Sequence, residues 1–381
     1  MATQNNNVTL SAFTVWGRSF KIQHTPSYCM LHIVSILIAI LLGCVSYLNT
    51  LRGEVDHVSY ALAKASLQIF PTRFPRNDSV DPDRWRARFK AVSTISLSPM
   101  HPTSSLDVYH DGVVEGDFRL LRIYNGNAGA TDTPKDVLIF YFGGGFVLGG
   151  VDENDELCRL FAKYTDFVVV AVQYSLAPEY PFPRGFNDTM AGLRWVRDNI
   201  AEHGGNPERI FISGESAGGN LAAAVTAHNL DTDFVSEDNR VNIIGALLVY
   251  PGTSGNFSLP SFITYANYSG ILTTNIVKHA LDLYSGGTPC TPAQYTCLPF
   301  YIPDHILAQF PPTEFVVAEY DVLRDDSLLM MERMQALQVP VTLSHYRSTI
   351  HGFFGRELFP EGINSIKQAS AKLLEMAKNT L

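Results

Sequence analysis

The sequence predicts a mostly parallel, doubly wound α/β sheet, and three observations lead to this fold class. The apolar runs at 137–142 and 167–172 are continuous, as expected for strands that are buried on both faces of a sheet. Helical patterns alternate with such runs along the chain. A short apolar strand at 210–212 is followed by a glycine-rich turn and by a helix that begins at Asn220. The 381 residues, of which 46% are hydrophobic, suffice for one large domain.

Taken in order, the predicted elements describe a sheet whose alternation is interrupted once. Strands are predicted at 118–124, 137–142, 167–172, 210–212, 243–250, 313–318 and 341–345, and the first of them alternates like an edge strand. Helices are predicted at 154–164, 186–202, 220–229, 274–283, 325–337 and 362–378, with two earlier pieces at 54–70 and 84–91. Segments at about 50–100 and 252–300 fall outside the alternation, so we expect them to form a cap over the active face of the sheet.

The N-terminus carries an apolar segment that predicts membrane anchoring. Residues 28–48 contain no Asp, Glu, Lys or Arg, and about 20 such residues span a bilayer as a helix. A cleaved signal peptide is the alternative, because residues 43–46 are small enough for a peptidase, but the polar leader at 1–27 is long for such a peptide. A buried soluble helix is a third interpretation, although the segment lacks a polar face. We therefore predict a polar tail, a transmembrane anchor and a catalytic region over 50–381.

The residues around this segment predict which side of the membrane the catalytic region occupies. Arg18 and Lys21 precede the segment, and acidic residues follow it closely, which favours a cytoplasmic N-terminus and a lumenal catalytic region. Sequons for N-glycosylation begin at Asn77, Asn256 and Asn267 and fit a lumenal location. We expect a single-pass glycoprotein of the endoplasmic reticulum.

Composition and charge exclude several other classes of protein. The net charge is −9 and the basic residues are scattered, so no nucleic acid is expected as a partner. The histidines and cysteines do not cluster at metal-ligand spacing, so neither a metal nor another cofactor is predicted. Among the five cysteines, Cys290 and Cys297 flank a short loop and can close a disulfide in an oxidising compartment.

The turn that follows the strand at 210–212 has the spacing of a nucleophile elbow. Gly214, Glu215, Ser216, Ala217 and Gly218 form a G-x-S-x-G pattern between a strand and a helix. The glycines flank a serine in a strained backbone conformation, where a Cβ on either side would collide. The alternative is a glycine-rich turn before an ordinary helix. The context of strand, turn and helix favours Ser216 as a nucleophile.

A serine nucleophile needs a base and an acid, and two loops later in the chain supply candidates. Asp321 directly follows the strand at 313–318, and His351 lies in the loop after the strand at 341–345. His345 lies within its strand and is interpreted as structural, while Asp325 and Asp326 suit the first turn of the next helix. The predicted triad is therefore Ser216, His351 and Asp321.

Three successive glycines after a buried strand predict an oxyanion hole. Gly143, Gly144 and Gly145 allow the backbone to turn so that amide groups face an incoming oxygen, together with the amide of Ala217. A phosphate-binding loop is the alternative, but the Lys-Ser/Thr pair of a P-loop and the spacing of a dinucleotide motif are both missing.

Together these motifs resemble the hormone-sensitive-lipase-like branch of the α/β-hydrolases, a group that includes arylacetamide deacetylase and related membrane-anchored esterases. The resemblance rests on Phe142–Phe146, Tyr174–Pro183, Gly214–Asn220, Asp321–Asp325 and His351–Phe353, in the order of the family. It implies an α/β-hydrolase fold with a helical cap, the triad named above, and an oxyanion hole. It also implies an N-terminal anchor with a lumenal catalytic domain. One position departs from the family, because Phe142 stands where its glycine motif usually begins with histidine.

The predicted function is a membrane-anchored serine esterase for small to medium hydrophobic esters. The abundance of Phe and Tyr and the apolar cap segments favour a hydrophobic substrate. Because of Phe142, a non-catalytic receptor for hydrophobic small molecules is the alternative on the same fold. Amide hydrolysis and acyl transfer use the same triad and stay open.

Overall fold

The computed structural model describes most of the chain from residue 120 onwards. The described residues are 120–125, 133–268, 272–357, 359 and 361–380, with Arg86 and the backbone of 14–15, 18–19 and 109–114. The chain divides into two units at Val55, and the first contains a short antiparallel pair, Thr14–Val15 with Arg18–Ser19. The predicted anchor at 28–48 lies outside the described residues. Within the described part of the chain, no helix is both long and apolar enough to cross a bilayer.

One sheet of eight strands organises the second unit, in the order β8-β7-β6-β5-β3-β4-β2-β1. Its strands are β1 (Tyr109–Val114), β2 (Leu120–Asn125), β3 (Lys135–Tyr141), β4 (Val168–Gln173), β5 (Gly205–Glu215), β6 (Ile243–Val249), β7 (Thr313–Tyr320) and β8 (Val341–Ile350). From β4 and β3 across to β8 the neighbours pair in parallel, whereas β2 pairs antiparallel with β4 and with β1. The predicted mostly parallel sheet is confirmed.

In the part of the chain that the structure describes, helices separate the strands from β3 onwards. They are α1 (Asp155–Thr165), α2 (Arg184–Asn199), α3 (Ala217–Leu230), α4 (Pro260–Thr264), α5 (Thr274–Tyr284), α6 (Asp304–Leu307), α7 (Arg324–Ala336) and α8 (Gly362–Asn379), with short 3-10 turns at Ile200–His203, Glu237–Asn239 and Pro299–Tyr301. Neighbouring residues of β3 show that helices cover both faces. The Phe140 ring lies 6.0 Å from that of Phe161 on α1, and the Tyr141 hydroxyl lies 3.3 Å from the carbonyl oxygen of Thr189 on α2. This is the doubly wound arrangement that the apolar runs predict.

The prediction of an edge strand at 118–124 is wrong. β2 lies between β4 and β1, so both of its edges are paired. Its alternation has another cause, since Arg122 reaches Asp152 at 2.5 Å and Asp155 at 3.4 Å while Leu121 and Ile123 are buried. The alternation in β2 therefore results from a partly polar face of the sheet and not from an open edge.

The segment predicted as the second cap is an insertion between β6 and β7. It carries α4, α5 and a disulfide that joins Cys290 to Cys297, the pairing that the sequence left open. Asn220 on α3 donates from its amide group to the carbonyl oxygens of Gly252, at 2.8 Å, and Cys297, at 3.1 Å. The helix that follows the nucleophile turn is therefore bonded directly to the insertion.

Candidate active site

Ser216, His351 and Asp321 form one hydrogen-bonded chain at the carboxyl ends of β5, β7 and β8. Ser216 Oγ lies 3.0 Å from His351 Nε2, and His351 Nδ1 lies 2.7 Å from Asp321 Oδ2. All three residues are buried, with exposed fractions of 9%, 7% and 1% respectively. The structure thus brings together the three residues that the sequence predicts as a triad, although they are separated by up to 135 positions.

Close packing explains the two glycines of the nucleophile turn. Ser216 has φ 55° and ψ −118°, a positive-φ conformation that is strained for a residue with a Cβ. A Cβ on Gly214 would overlap the carbonyl oxygen of Gly218, and one on Gly218 would overlap that of Tyr141. The amide of Ser216 donates to the carbonyl oxygen of Val249 on β6, at 2.8 Å. These contacts hold the serine above the end of the sheet, as the motif predicts.

The hydrogen bonds of Asp321 fix the tautomer of the histidine. Asp321 Oδ1 accepts from the amide of Leu323 at 2.9 Å, while Oδ2 faces His351 Nδ1. A carboxylate only accepts, so Nδ1 carries the proton and Nε2 is free to accept the proton of the Ser216 hydroxyl. This is the arrangement that a general base requires.

The neighbouring candidates take the structural positions that the sequence indicates. Asp325 and Asp326 lie in the first turn of α7, and His345 lies within β8. Asp326 is buried and accepts from the amides of Thr253, at 2.7 Å, and Ser254, at 3.0 Å. Its burial raises its pKa to about 6. Asp326 therefore supports the start of the inserted segment.

The glycine loop after β3 leaves its amides available. Gly144 and Gly145 have φ of 122° and 62°, and the carbonyl oxygen of Gly144 accepts from the amides of Val147 and Leu148. Among the described residues, none accepts a hydrogen bond from the amides of Gly144, Gly145 or Ala217. A loop that bonds the Gly144 carbonyl and leaves these amides open is suited to bind an oxyanion.

Phe142, which departs from the family pattern, is held by a tyrosine. Its ring stacks on Tyr174 with centroids 4.1 Å apart and planes 10° from parallel. The Tyr174 hydroxyl donates to the carbonyl oxygen of Phe142 at 2.8 Å. Burial, with Tyr284 and Glu215 nearby, raises the pKa of Tyr174 well above its ordinary value, so the hydroxyl stays a donor. Stacking and this bond brace the start of the glycine loop.

Arg86 is a supporting residue that the sequence analysis did not single out. Its guanidinium forms two bonds of 2.7 Å to the carboxylate of Glu179. It also donates to the carbonyl oxygens of Val147, at 3.0 Å, and Ala177, at 2.9 Å. Val147 lies in the turn that closes the glycine loop, so a residue of the first predicted cap segment helps to hold that loop. A single arginine within a weak helical pattern gave no signal of this contact.

Helix α5 of the insertion packs on the glycine loop, as expected of a cap. The rings of Tyr284 and Phe146 stack with centroids 3.8 Å apart, and the amide of Phe182 donates to the carbonyl oxygen of Tyr284 at 2.7 Å. A Cβ on Gly145 would lie 3.0 Å from the Cβ of Ala280. The loop is therefore enclosed by apolar side chains.

Comparison with known proteins places this arrangement in a family. A family model of the α/β-hydrolase fold matches residues 138–355, a stretch that contains the glycine loop and the whole triad. The chain belongs to the α/β-hydrolase family. The carboxylesterase NlhH of Mycobacterium tuberculosis is 35% identical over 304 residues, which cover 79% of this chain and 89% of that protein.

Two further proteins similar to this α/β-hydrolase are named as a deacetylase and an esterase. The arylacetamide deacetylase of Mus musculus is 29% identical over 276 residues, covering 57% of this chain and 68% of that protein. A solved esterase structure from Pyrobaculum calidifontis superposes with a TM-score of 0.71 at 27% identity, covering 82% of this chain and 97% of that one. The resemblance that the motifs indicate is confirmed, and the chain is a hydrolase of the carboxylic ester hydrolase class.

Proposed function

We propose that the protein is a membrane-anchored serine esterase that cleaves hydrophobic carboxylic esters with Ser216, His351 and Asp321. The observation that carries the proposal is the hydrogen-bonded chain of these three side chains, at 3.0 and 2.7 Å, on a nucleophile turn. This arrangement also weighs against the receptor alternative, because a binding protein needs neither the strained serine nor an oriented imidazole.

The geometry supports a two-step reaction. Ser216 Oγ forms a bond to the ester carbonyl carbon while its proton passes to His351 Nε2. The C–O bond to the alcohol then breaks, and the imidazolium returns the proton to the leaving oxygen. A water molecule attacks the acyl-enzyme by the same route and releases the acid with Ser216 regenerated. Asp321 orients the imidazole and stabilises its charge throughout.

The oxyanion and the substrate have candidate partners beside the triad. The amides of Gly143, Gly144, Gly145 and Ala217 are proposed to bind the carbonyl oxygen as it becomes negative, each worth about 3 kcal/mol to the transition state. The rings of Phe146, Phe182 and Tyr284 meet next to this loop. Such surroundings favour an apolar acyl or alcohol group over a charged one.

Rapid mixing with an activated short-chain aryl ester, followed by covalent labelling, tests the proposal. An acyl-enzyme predicts a burst of the phenol at about one equivalent per protein before steady turnover. A fluorophosphonate should label a single serine, mapped by mass spectrometry to Ser216 and not to the buried Ser213. Absence of both turnover and labelling in folded protein would favour the receptor. Product analysis with an added alcohol or an anilide substrate separates ester hydrolysis from acyl transfer and amide hydrolysis.

Anchoring in the endoplasmic reticulum with a lumenal catalytic region is the second part of the proposal. It is supported by the uncharged run at 28–48, by the disulfide between Cys290 and Cys297, and by the exposed sequon residues Asn256 and Asn267. We expect the full chain to stay in the membrane pellet after alkaline carbonate washing. We also expect an endoglycosidase-sensitive mass shift that survives protease treatment of sealed microsomes. Release by carbonate would remove the anchor from the proposal.

A further inference from the structure

A buried carboxylate lies directly beside the proposed nucleophile and is not used by the reaction. Glu215, the residue before Ser216, is 5% exposed. Its Oε1 accepts from Arg356 Nη2 at 3.0 Å, and its Oε2 accepts from the Tyr250 hydroxyl at 2.9 Å. The backbone of Gly143 lies against the same side chain, since a Cβ there would be 3.1 Å from Glu215 Cγ. The Glu215 side chain therefore packs beside the glycine loop as well as the nucleophile turn.

The arginine that pairs with Glu215 belongs to the histidine loop. Arg356 Nε donates to the carbonyl oxygen of Gly352, the residue after His351, at 2.9 Å. The Tyr250 ring, whose hydroxyl is bonded to Glu215, lies 4.5 Å from the imidazole of His351 between ring centroids. Two separate contacts thus connect one carboxylate to the proposed base.

We propose that Glu215 and Arg356 are positioning residues that hold the histidine and glycine loops to the nucleophile turn and balance each other's charge beside the imidazole. The proposal rests on the triad proposed above and adds a second ion pair to it. Glu215 sets the distance between the nucleophile and both loops through its own side chain. Arg356 supplies the positive charge without which a carboxylate buried at this position is unfavourable.

The other titratable groups around the pair leave this charge balance intact. Asp321 faces the imidazole from β7, and Tyr250, Tyr174 and Cys158 are near Glu215. Burial raises the pKa of each of these tyrosines and of the cysteine, so all three stay neutral at the pH of an assay.

Two further carboxylates, Glu156 and Glu357, lie near the arginine. Glu156 interacts electrostatically with Arg356 and with Glu357, and burial raises the pKa of Glu156. Neither of them is hydrogen-bonded to His351 among the described contacts. Glu215 is the carboxylate that is hydrogen-bonded to Arg356 among the described contacts, so removing one member of the pair leaves the other without its partner.

The acidic limb of the kcat/KM profile measures this balance, because it reports protonation of the base in the free enzyme. In Glu215→Gln the unpaired guanidinium disfavours imidazolium, so the limb should move to lower pH by about 0.5 to 1 unit. In Arg356→Met the unpaired carboxylate favours imidazolium, so the limb should move to higher pH by a similar amount. Both variants should also lose about 10- to 100-fold in kcat because the loops are less well placed.

The double variant and a distant ion pair provide the controls. Glu215→Gln with Arg356→Met removes both charges and should return the limb to its wild-type pH without restoring kcat. Arg209 pairs with Asp136 at 2.5 and 2.9 Å and is similarly shielded, but it lies about 20 Å along β5 from the site. Arg209→Gln should lower thermal stability and leave the limb in place.

Fluorophosphonate titration of Ser216 gives the active fraction of each preparation, so that misfolded protein does not enter the rates. If the wild-type protein is not labelled by the fluorophosphonate and does not hydrolyse the ester, the proposed triad itself is wrong. If the wild-type protein is labelled, the triad stands. If the acidic limb of kcat/KM then stays fixed, or moves in the same direction, in both single variants, the positioning role alone is wrong.

Discussion

Replacing Ser216 with alanine is expected to lower kcat for a short-chain aryl ester by about a million-fold. The hydroxyl lies 3.0 Å from His351 Nε2 and is the group that forms the acyl-enzyme, and alanine keeps the backbone while removing it. The oxyanion donors and substrate binding stay, so a residual rate of about 10³- to 10⁴-fold over water is expected. Steady-state kinetics with active-site titration of the wild type measures the difference.

Ser213 offers a matched control for this variant. It lies three residues earlier on β5, is fully buried, and its Oγ has no hydrogen-bond partner among the described residues. Ser213→Ala should therefore keep kcat within about three-fold and leave stability nearly unchanged. Adding His351→Ala to Ser216→Ala should cost little more, because the two residues act as one unit. A Ser216→Ala protein that keeps a tenth of the wild-type rate would show that another nucleophile is at work.

The nucleophile turn could be predicted because its determinants are local. Gly214, Ser216 and Gly218 lie within five residues, and the overlap that excludes a Cβ at Gly214 is with Gly218 of the same turn. Asp321 and His351 are remote in sequence, but parallel strands bring their carboxyl ends to one edge of the sheet. Chain order then selects the acid and the base.

The contacts that support the triad could not be predicted, since they join residues with no shared pattern. Arg356 and Glu215 are 141 positions apart, and Arg86 and Glu179 are 93 apart. Charged residues are common on any surface, so neither pair is marked by its sequence context.

The edge strand β1 is not predicted from the sequence, for a related reason. β1 spans Tyr109–Val114, where a histidine, an aspartate and a glycine interrupt any apolar alternation. Its pairing with β2 is made by backbone groups, which the side-chain pattern does not report. With no visible neighbour on that side, the alternation of β2 by itself predicts an open edge.

The second large effect is expected for Asp321→Asn, which should lower kcat/KM about ten-thousand-fold. The amide of Leu323 donates to Asp321 Oδ1, so the asparagine oxygen must occupy that position. The asparagine amino group then faces His351 Nδ1, which has to become the acceptor. The proton moves to Nε2, and the imidazole can no longer accept the proton of Ser216. The loss follows from the tautomer, and the fold keeps its hydrogen bonds.

Asp326→Asn distinguishes this effect from the simple loss of a buried carboxylate. Asp326 is as buried as Asp321, but it bonds the amides of Thr253 and Ser254 and not the histidine. The substitution places an amino group against one of these two backbone amides, so that one hydrogen bond is lost and the thermal midpoint at pH 8 should fall, while kcat/KM stays within about three-fold. Asp321→Asn should show the reverse, with fluorophosphonate labelling slowed as much as turnover. Equal losses of activity in the two variants would mean that the loop after β7 matters for its packing, and that Asp321 does not set the tautomer of His351.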